Sequence, residues 1–310
     1  MKLLFAGTPE FSVPALQALL DSGHDVVAVY TQPDRPAGRG RRQQTGPVKQ
    51  LAMQHGIPVC QPQRLRTEAV QQQLASWQAE LMIVVAYGLI LPVAVLAIPR
   101  LGCVNVHASL LPRWCGAAPI QRAILAGDTD TGVCLMQMDA GLDTGPVLAS
   151  TTCAIRADDT GSRLHDRLAG LGAGLLAQNL DALQGGELVG TVQDEAQASY
   201  AGKLVKSEAR IDWHAAATDI ANRVRAFNAW PVAETRLHGR QLRIWEASAL
   251  AGTAAEPPGT VLSATGSGIE VACGQDRLLL HQLQLPGARV IAAADFVNAQ
   301  TLAGVCLDAD

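Results

Sequence analysis

Residues 1–31 read MKLLFAGTPEFSVPALQALLDSGHDVVAVYT. Leu3–Ala6 is a short apolar run, turned by Gly7-Thr8-Pro9. Ser12 heads a stretch in which Ala15, Leu16, Leu19 and Leu20 recur at helical spacing, and Gly23 ends it. Asp25–Thr31, with Val26, Val27, Ala28 and Val29, is the next strand. Strand, helix and strand in this order predict a βαβ opening and hence a mostly parallel sheet in an α/β fold. The first turn holds one glycine and no G-x-G-x-x-G pattern, so nothing there points to a dinucleotide.

The chain has 310 residues, 48% hydrophobic and 17% charged, with a formal net charge of −4. That length suffices for two domains with cores of their own, and the balance excludes a disordered chain. It also excludes a polycation, so any nucleic-acid surface must be local. Seven cysteines without Cys-x-x-Cys or zinc-finger spacing predict reduced core thiols, no metal, and a cytoplasmic setting. Met1–Gly7 enters a strand at once, unlike a signal peptide, and no apolar run approaches the roughly 20 residues of a membrane helix.

Further along, Val48–His55 and Thr67–Ala75 are expected as helices, and Ile57–Cys60 as a short strand. The unbroken apolar run Leu81–Ala86 predicts a buried parallel strand. Tyr87-Gly88-Leu89-Ile90-Leu91-Pro92 follows at its carboxyl end, where open α/β sheets bind ligands; the alternative is a plain strand-to-helix turn. Between these, Gln32–Lys49 sets Arg35, Arg39, Arg41, Arg42 and Lys49 against one acid, Asp34. A loop of that length is either a solvated basic segment or a phosphate-contacting arm.

The chemistry gathers in Cys103–Gly145. Gly102–His107 looks like the end of a buried strand, and alternation puts Asn105 and His107 on one face. The turn-rich loop Asp139–Gly145 can return Asp143 to that face. Asn, His and Asp together can polarise a carbonyl, move a proton and orient an imidazole. Each alone is as readily a turn former, a structural histidine or a cap; the argument rests on all three. Ser109-Leu110-Leu111-Pro112 is too apolar for a free loop and too interrupted for a helix, which predicts a pocket wall. A helix at Ala118–Ala126 and strands at Thr131–Met138 and Val147–Ile155 follow. A long helix, Thr160–Leu183, carries Leu164, Leu168, Leu171, Leu175 and Leu176 for core packing.

Thr191–Arg210 is polar and expected as a linker. Beyond it come a helix (Ala215–Phe227) and short β runs at Ala233–Leu237, Arg240–Glu246, Gly259–Ala264, Gly268–Cys273 and Asp276–Gln282. Their Gly and Pro punctuation predicts a small barrel. The expected division is 1–189, a linker at 190–208, and 209–310. Residues 203–243 hold 8 Lys/Arg against 4 Asp/Glu, whereas 191–310 as a whole holds 10 against 13. Positive charge therefore collects near Lys203, Lys206 and the first barrel strands, as a solvated face or a nucleic-acid surface.

Asn105-Val106-His107, the SLLPRW run at Ser109–Trp114, GAAPIQRAI at Gly116–Ile124, Gly127-Asp128 and GLDTG at Gly141–Gly145 resemble the core of the folate-dependent formyltransferases. Trp-x-Gly-Ala-Ala-Pro-Ile-Gln narrows the resemblance to the methionyl-tRNA formyltransferase family over nearly the whole chain. So do Ile211-Asp212-Trp213, Arg225-Ala226-Phe227-Asn228, Trp230-Pro231, and Leu278–Gln284 with Pro286-Gly287 and Phe296. The resemblance implies a Rossmann-like formyltransferase domain followed by an OB-like tRNA-binding domain. It implies transfer of formyl from 10-formyltetrahydrofolate to the α-amino group of methionyl initiator tRNA, for translation initiation, by a monomer. Asn105, His107 and Asp143 are then the catalytic residues: the first two donate to an oxyanion, and Asp143 orients His107 and takes the amine proton. Tyr87, Gly88, Leu89, Ser109, Leu110, Leu111 and Pro112 are implied at the folate pocket. Arg39 is the main implied tRNA contact, with Arg41, Arg42, Lys203 and Lys206.

Two positions depart from the family pattern: Cys115 stands where Arg is usual, and Pro146 where Asp is usual. Other readings share part of this ground. A formyltransferase acting on a small amine, such as glycinamide ribonucleotide or an amino-sugar nucleotide, leaves the basic loop and barrel unexplained together. A hydrolase releasing formate shares the three residues. A pure nucleic-acid-binding protein leaves all three without a role.

Overall fold

The computed structural model describes residues 1–37, 42–297 and 302–308. Their contacts form two units: Met1–Pro119 with Asp130–Ala154 and His165–Ala201, and Ile120–Thr129 with Ile155–Leu164 and Gly202–Asp310.

The chain opens with β1 (Lys2–Gly7), α1 (Val13–Asp21) and β2 (Asp25–Tyr30). Next come β3 (Arg35–Ala37), β4 (Arg42–Gln44), α2 (Pro47–Gln54), β5 (Val59–Cys60), α3 (Glu68–Ser76), β6 (Leu81–Val85) and α4 (Val93–Leu96). Then follow β7 (Cys103–His107), β8 (Cys115–Gly116), α5 (Pro119–Leu125), β9 (Asp130–Gln137), β10 (Val147–Ala154), α6 (Gly161–Gly185) and β11 (Tyr200–Ala201).

Seven strands of the first unit form one sheet in the order β10-β9-β7-β6-β1-β2-β5. The five strands from β5 to β7 run parallel, as the βαβ opening requires, while β9 pairs antiparallel with both β7 and β10. β6 is buried at every residue, which is why its sequence shows no polar alternation. Leu4, Ala28, Tyr30, Leu74, Met82 and Val95 form one core cluster against this sheet. The Ser12 hydroxyl, at the head of α1, makes no cap hydrogen bond to the helix; it donates to the Val85 carbonyl at 2.6 Å, and so ties the start of α1 to β6. Burial pushes the Cys103 thiol up to about 12 and the Cys134 thiol up to about 11, so both remain protonated core groups.

The basic loop folds back on itself, β3 pairing antiparallel with β4. Residues 191–201, within the segment expected as a linker, run along the first unit. Thr191 bridges Val147, and β11 pairs parallel with β8. The polarity that suggested a solvated linker is spent there on hydrogen bonds to neighbouring loops.

The second unit holds α7 (Ala217–Ala226), β12 (Glu234–Leu237), β13 (Arg240–Leu250), β14 (Val261–Thr265), β15 (Gly268–Ala272), β16 (Arg277–Gln284), β17 (Ile291–Ala292) and α8 (Ala293–Val297). Its strands are antiparallel in the order β12-β13-β16-β15-β14, with β17 added on β16, an OB-like β domain. Trp213, Ile220, Val224, Leu242, Ile244, Val271, Leu280 and Phe296 fill its core. In the same unit Arg122 makes a two-pronged ion pair with Glu208, at 2.6 and 3.2 Å. Among the described residues, no helix is long and apolar enough to cross a membrane.

Candidate active site

Strand alternation delivers Asn105 and His107 from β7 onto one face, both buried. Asp143 arrives from the loop between β9 and β10. Asn105 Nδ2 donates to Asp143 Oδ1 at 3.3 Å, and His107 Nδ1 lies 3.6 Å from Asp143 Oδ2. The Gly116 N–H donates to that same Oδ2 at 2.8 Å. The three residues singled out in the sequence therefore meet, with a backbone amide as a fourth member.

The Asp143 loop is held from several sides. Asp139 Oδ1 accepts from the Gly141 N–H at 2.9 Å and from Thr144 Oγ1 at 2.8 Å, an Asx-type turn. A Cβ on Gly145 would run into the Gln137 carbonyl, so the chain passes there only as glycine. Gln193 Nε2 donates to the Asp143 carbonyl at 2.8 Å and to the Gly145 carbonyl at 2.7 Å. Pro146 is accommodated by Gly190, whose Cβ would come within 2.8 Å of the proline ring.

His107 Nε2 sits 3.0 Å from the Trp114 carbonyl. A carbonyl oxygen only accepts, so Nε2 carries the hydrogen and Nδ1 is the nitrogen turned to Asp143. Trp114 is placed by Ser199, whose hydroxyl accepts the Trp114 N–H at 3.0 Å and whose carbonyl bonds the Cys115 N–H at 2.8 Å. Trp114 has φ 63° and Asp143 φ 56°. Non-glycine residues in such conformations cost about 1–3 kcal/mol each and persist only where surroundings hold them. Both flank His107.

Cys115 is buried, its thiol donating to the Pro112 carbonyl at 3.4 Å and the Asp143 carbonyl at 3.7 Å. Burial, and secondly the Asp143 charge, push the thiol up from its ordinary value. It fills the position as a small, largely apolar group whose nucleophilic thiolate form is disfavoured.

β6 and β7 are parallel neighbours, so the Tyr87–Pro92 and Ser109–Pro112 segments leave the sheet at the same end. The Tyr87 carbonyl accepts from Thr8 Oγ1 at 3.1 Å and Gln32 Nε2 at 3.0 Å, and the Gln32 side chain occupies the space a Cβ on Gly88 would need. The backbone groups of Gly88, Leu89 and Ile90 make no hydrogen bond to described residues. The Tyr87 hydroxyl is buried without a hydrogen-bond partner among the described residues. The Tyr87 ring itself packs into the core cluster with Tyr30 and Cys60, so it is the open backbone edge after it, at the carboxyl end of β6, that fits a flat heterocycle with ring donors and acceptors. Across from it, Ser109 Oγ closes its own turn on the Arg113 carbonyl at 2.6 Å. Leu110 wedges into the space left by Gly132 of β9, while Leu111 and Pro112 stay half-buried at the wall.

Arg39 and Arg41 lie outside the described residues, as does the side chain of Arg42 at the start of β4. Lys49 is committed to Asp34 at 2.6 Å and Gln61 at 2.8 Å, closing the base of the β3–β4 hairpin. Lys203 and Lys206 are exposed. No group of three or more His, Cys, Asp or Glu among the described residues is placed to hold a metal ion. Sequence reasoning missed the roles of the Trp114 carbonyl, Gly116, Gln193 and Ser199; Trp114 and Gly116 stood inside the quoted motif, Gln193 and Ser199 outside it.

The Asn-His-Asp group sits at the end of the parallel strand β7, in a chain that continues into an OB-like β domain. Residues 1–180 match the family described as Formyl transferase, and residues 203–301 match Formyl transferase, C-terminal domain; the chain belongs to this family. It is 56% identical over 304 residues to the methionyl-tRNA formyltransferase of Methylococcus capsulatus, covering 98% of each chain. It is 55% identical over 300 residues to that of Stutzerimonas stutzeri, covering 97% of this chain and 95% of the relative. In fold it resembles an N-formyltransferase of Helicobacter canadensis solved with folinic acid and dTDP-3-aminofucose. That match has a TM-score of 0.67 at 16% identity and covers 90% of this chain and 98% of that one. A sugar 3N-formyl transferase solved with dTDP and 5-N-formyl-THF gives a TM-score of 0.68 at 16% identity, covering 93% and 99%.

Proposed function

We propose that Asn105, His107 and Asp143 transfer the formyl group of 10-formyltetrahydrofolate to the α-amino group of methionyl initiator tRNA. The observation that carries this reading is the meeting of Asn105 and His107 on the Asp143 carboxylate, at 3.3 and 3.6 Å. It comes in a chain 53–56% identical to relatives named methionyl-tRNA formyltransferase.

When bound between the Tyr87 and Ser109 segments, the folate supplies an activated formyl group. Asn105 spends one amide hydrogen on Asp143 and keeps the other for the formyl oxygen as it gains negative charge. One such donor is worth about 3 kcal/mol of barrier. His107 commits Nε2–H to Trp114 and therefore acts through Nδ1, on the Asp143 side. Asp143 holds the Asn105 amide and takes the proton of the attacking amine, alone or through a water. As the tetrahedral intermediate collapses, the bond from the formyl carbon to N10 of the folate breaks and that proton passes to N10. The burial of Asn105 and His107 keeps bulk water from the reacting carbon. Arg39, Arg41 and Arg42 meet the acceptor end of the tRNA, with Lys203 and Lys206 adding phosphate contacts. The protein works as a monomer in the cytoplasm, where initiator tRNA is charged.

The test is transfer of labelled formyl from 10-formyltetrahydrofolate, run in parallel on methionyl initiator tRNA, uncharged tRNA, free methionine and an amino-sugar nucleotide. Label on the charged tRNA alone is expected. Transfer only to a small amine, or release of formate alone, contradicts the proposed acceptor.

A further inference from the structure

Two side chains of the 191–201 segment reach the loops on either side of His107. Gln193 spends its amide hydrogens on the carbonyls of Asp143 and Gly145, at 2.8 and 2.7 Å. These carbonyls bracket Thr144, so one side chain pins the turn that aims the Asp143 carboxylate. Asp143 itself has φ 56°, a conformation that relaxes unless held from outside. On the other side, Ser199 receives the N–H groups of both Trp114 and Cys115, through its hydroxyl at 3.0 Å and its carbonyl at 2.8 Å. That pair fixes the Trp114 backbone at φ 63°, and the Trp114 carbonyl in turn takes the Nε2 hydrogen of His107 at 3.0 Å. Which ring nitrogen faces Asp143 is thus decided by the bond the other nitrogen makes.

We propose that Gln193 and Ser199 are positioning residues: a strap that aims the Asp143 carboxylate and fixes the His107 tautomer. This rests on the role given to His107 and Asp143 above. Neither residue touches the reacting atoms. Their loss leaves substrate binding in place and spoils the alignment of the proton-handling pair, which appears in kcat.

The test uses the full chain with Gln193→Met, which keeps length but loses the donor, and with Ser199→Ala. Ser199→Thr restores the hydroxyl. Gln197→Ala is the control, its side-chain amide donating to the neighbouring Asp194 carboxylate at 2.8 Å. Gln193→Asn, which keeps the donor but not the reach, replaces Gln193→Met if that variant unfolds. Expected are folded proteins whose kcat falls roughly 10–100-fold, the scale of a small misplacement, with KM for both substrates little changed. Ser199→Ala also shifts the His107 ring-nitrogen NMR signals away from the Nε2–H form, and Ser199→Thr returns both kcat and spectrum. Wild-type kcat with an unchanged His107 spectrum overturns the strap, as does a loss that follows melting or KM alone or that Ser199→Thr does not restore. A wild-type protein that transfers no formyl defeats the functional reading instead, while the His107 spectrum still reports on the strap.

Discussion

The Gly116 N–H donates to Asp143 Oδ2 at 2.8 Å, the oxygen that faces His107 Nδ1 at 3.6 Å. The turn after Trp114 and the loop after β9 are therefore joined through one carboxylate oxygen. Gly116 has φ 119°, and a Cβ there would lie 2.9 Å from the Ala201 carbonyl oxygen. Its missing side chain is needed both for the backbone angle and for the close passage of β11.

Gly116→Ala is expected to lower stability by about 1–3 kcal/mol, the usual cost of a strained φ. The larger effect falls on activity, because the amide that holds Asp143 moves with the turn. Thermal melting and kcat, measured together, check this. A variant with wild-type melting and wild-type kcat contradicts the account.

Cys115 is expected to resist alkylation. Its thiol is buried and held protonated, first by burial and then by the Asp143 charge. Iodoacetamide at neutral pH should modify the exposed Cys306 first, and Cys115 should react only as the pH is raised. Peptide mapping over a pH series gives the order of labelling. Early labelling of Cys115 sinks the idea.

The Arg122–Glu208 pair sets an acid limit on stability. The Arg122 hydrogen bonds hold the Glu208 carboxyl below its ordinary 4.5. A carboxyl lowered in the folded state stabilises at pH above 4.5, and that contribution is lost as pH falls through the folded value. Glu208→Gln should cost about 1–3 kcal/mol at neutral pH, between the values for exposed and buried pairs. The gap from wild type should close in acid. Melting curves across pH test it, and a gap that persists unchanged in acid goes against it.

Much of this architecture was legible. The βαβ opening, the parallel sheet and the antiparallel second unit follow from Leu3–Ala6, Leu81–Ala86 and the short punctuated runs after Ala233. Alternation alone put Asn105 and His107 together. The reversal at β9 was not legible, because a strand buried on both faces has the same composition in either direction. Nor was the partner of His107 Nε2, since a backbone carbonyl leaves no trace in sequence and its aim depends on a positive φ at Trp114. Gln193 and Ser199 looked like linker residues because the polarity that makes a chain soluble also serves to bind loops. Lys49 was counted in the basic loop, which reads equally as a solvated segment or a phosphate-contacting arm, and is spent on Asp34.

The central claim is that Asn105, His107 and Asp143 act as one group on the formyl carbon. Single-turnover transfer from 10-formyltetrahydrofolate to methionyl initiator tRNA, by wild type and by Asn105→Ala, His107→Ala and Asp143→Ala, tests it most directly. Folded variants with transfer rates reduced by roughly 10²–10³ or more, the scale of losing one oxyanion donor, are predicted. Three folded variants transferring near the wild-type rate would contradict it.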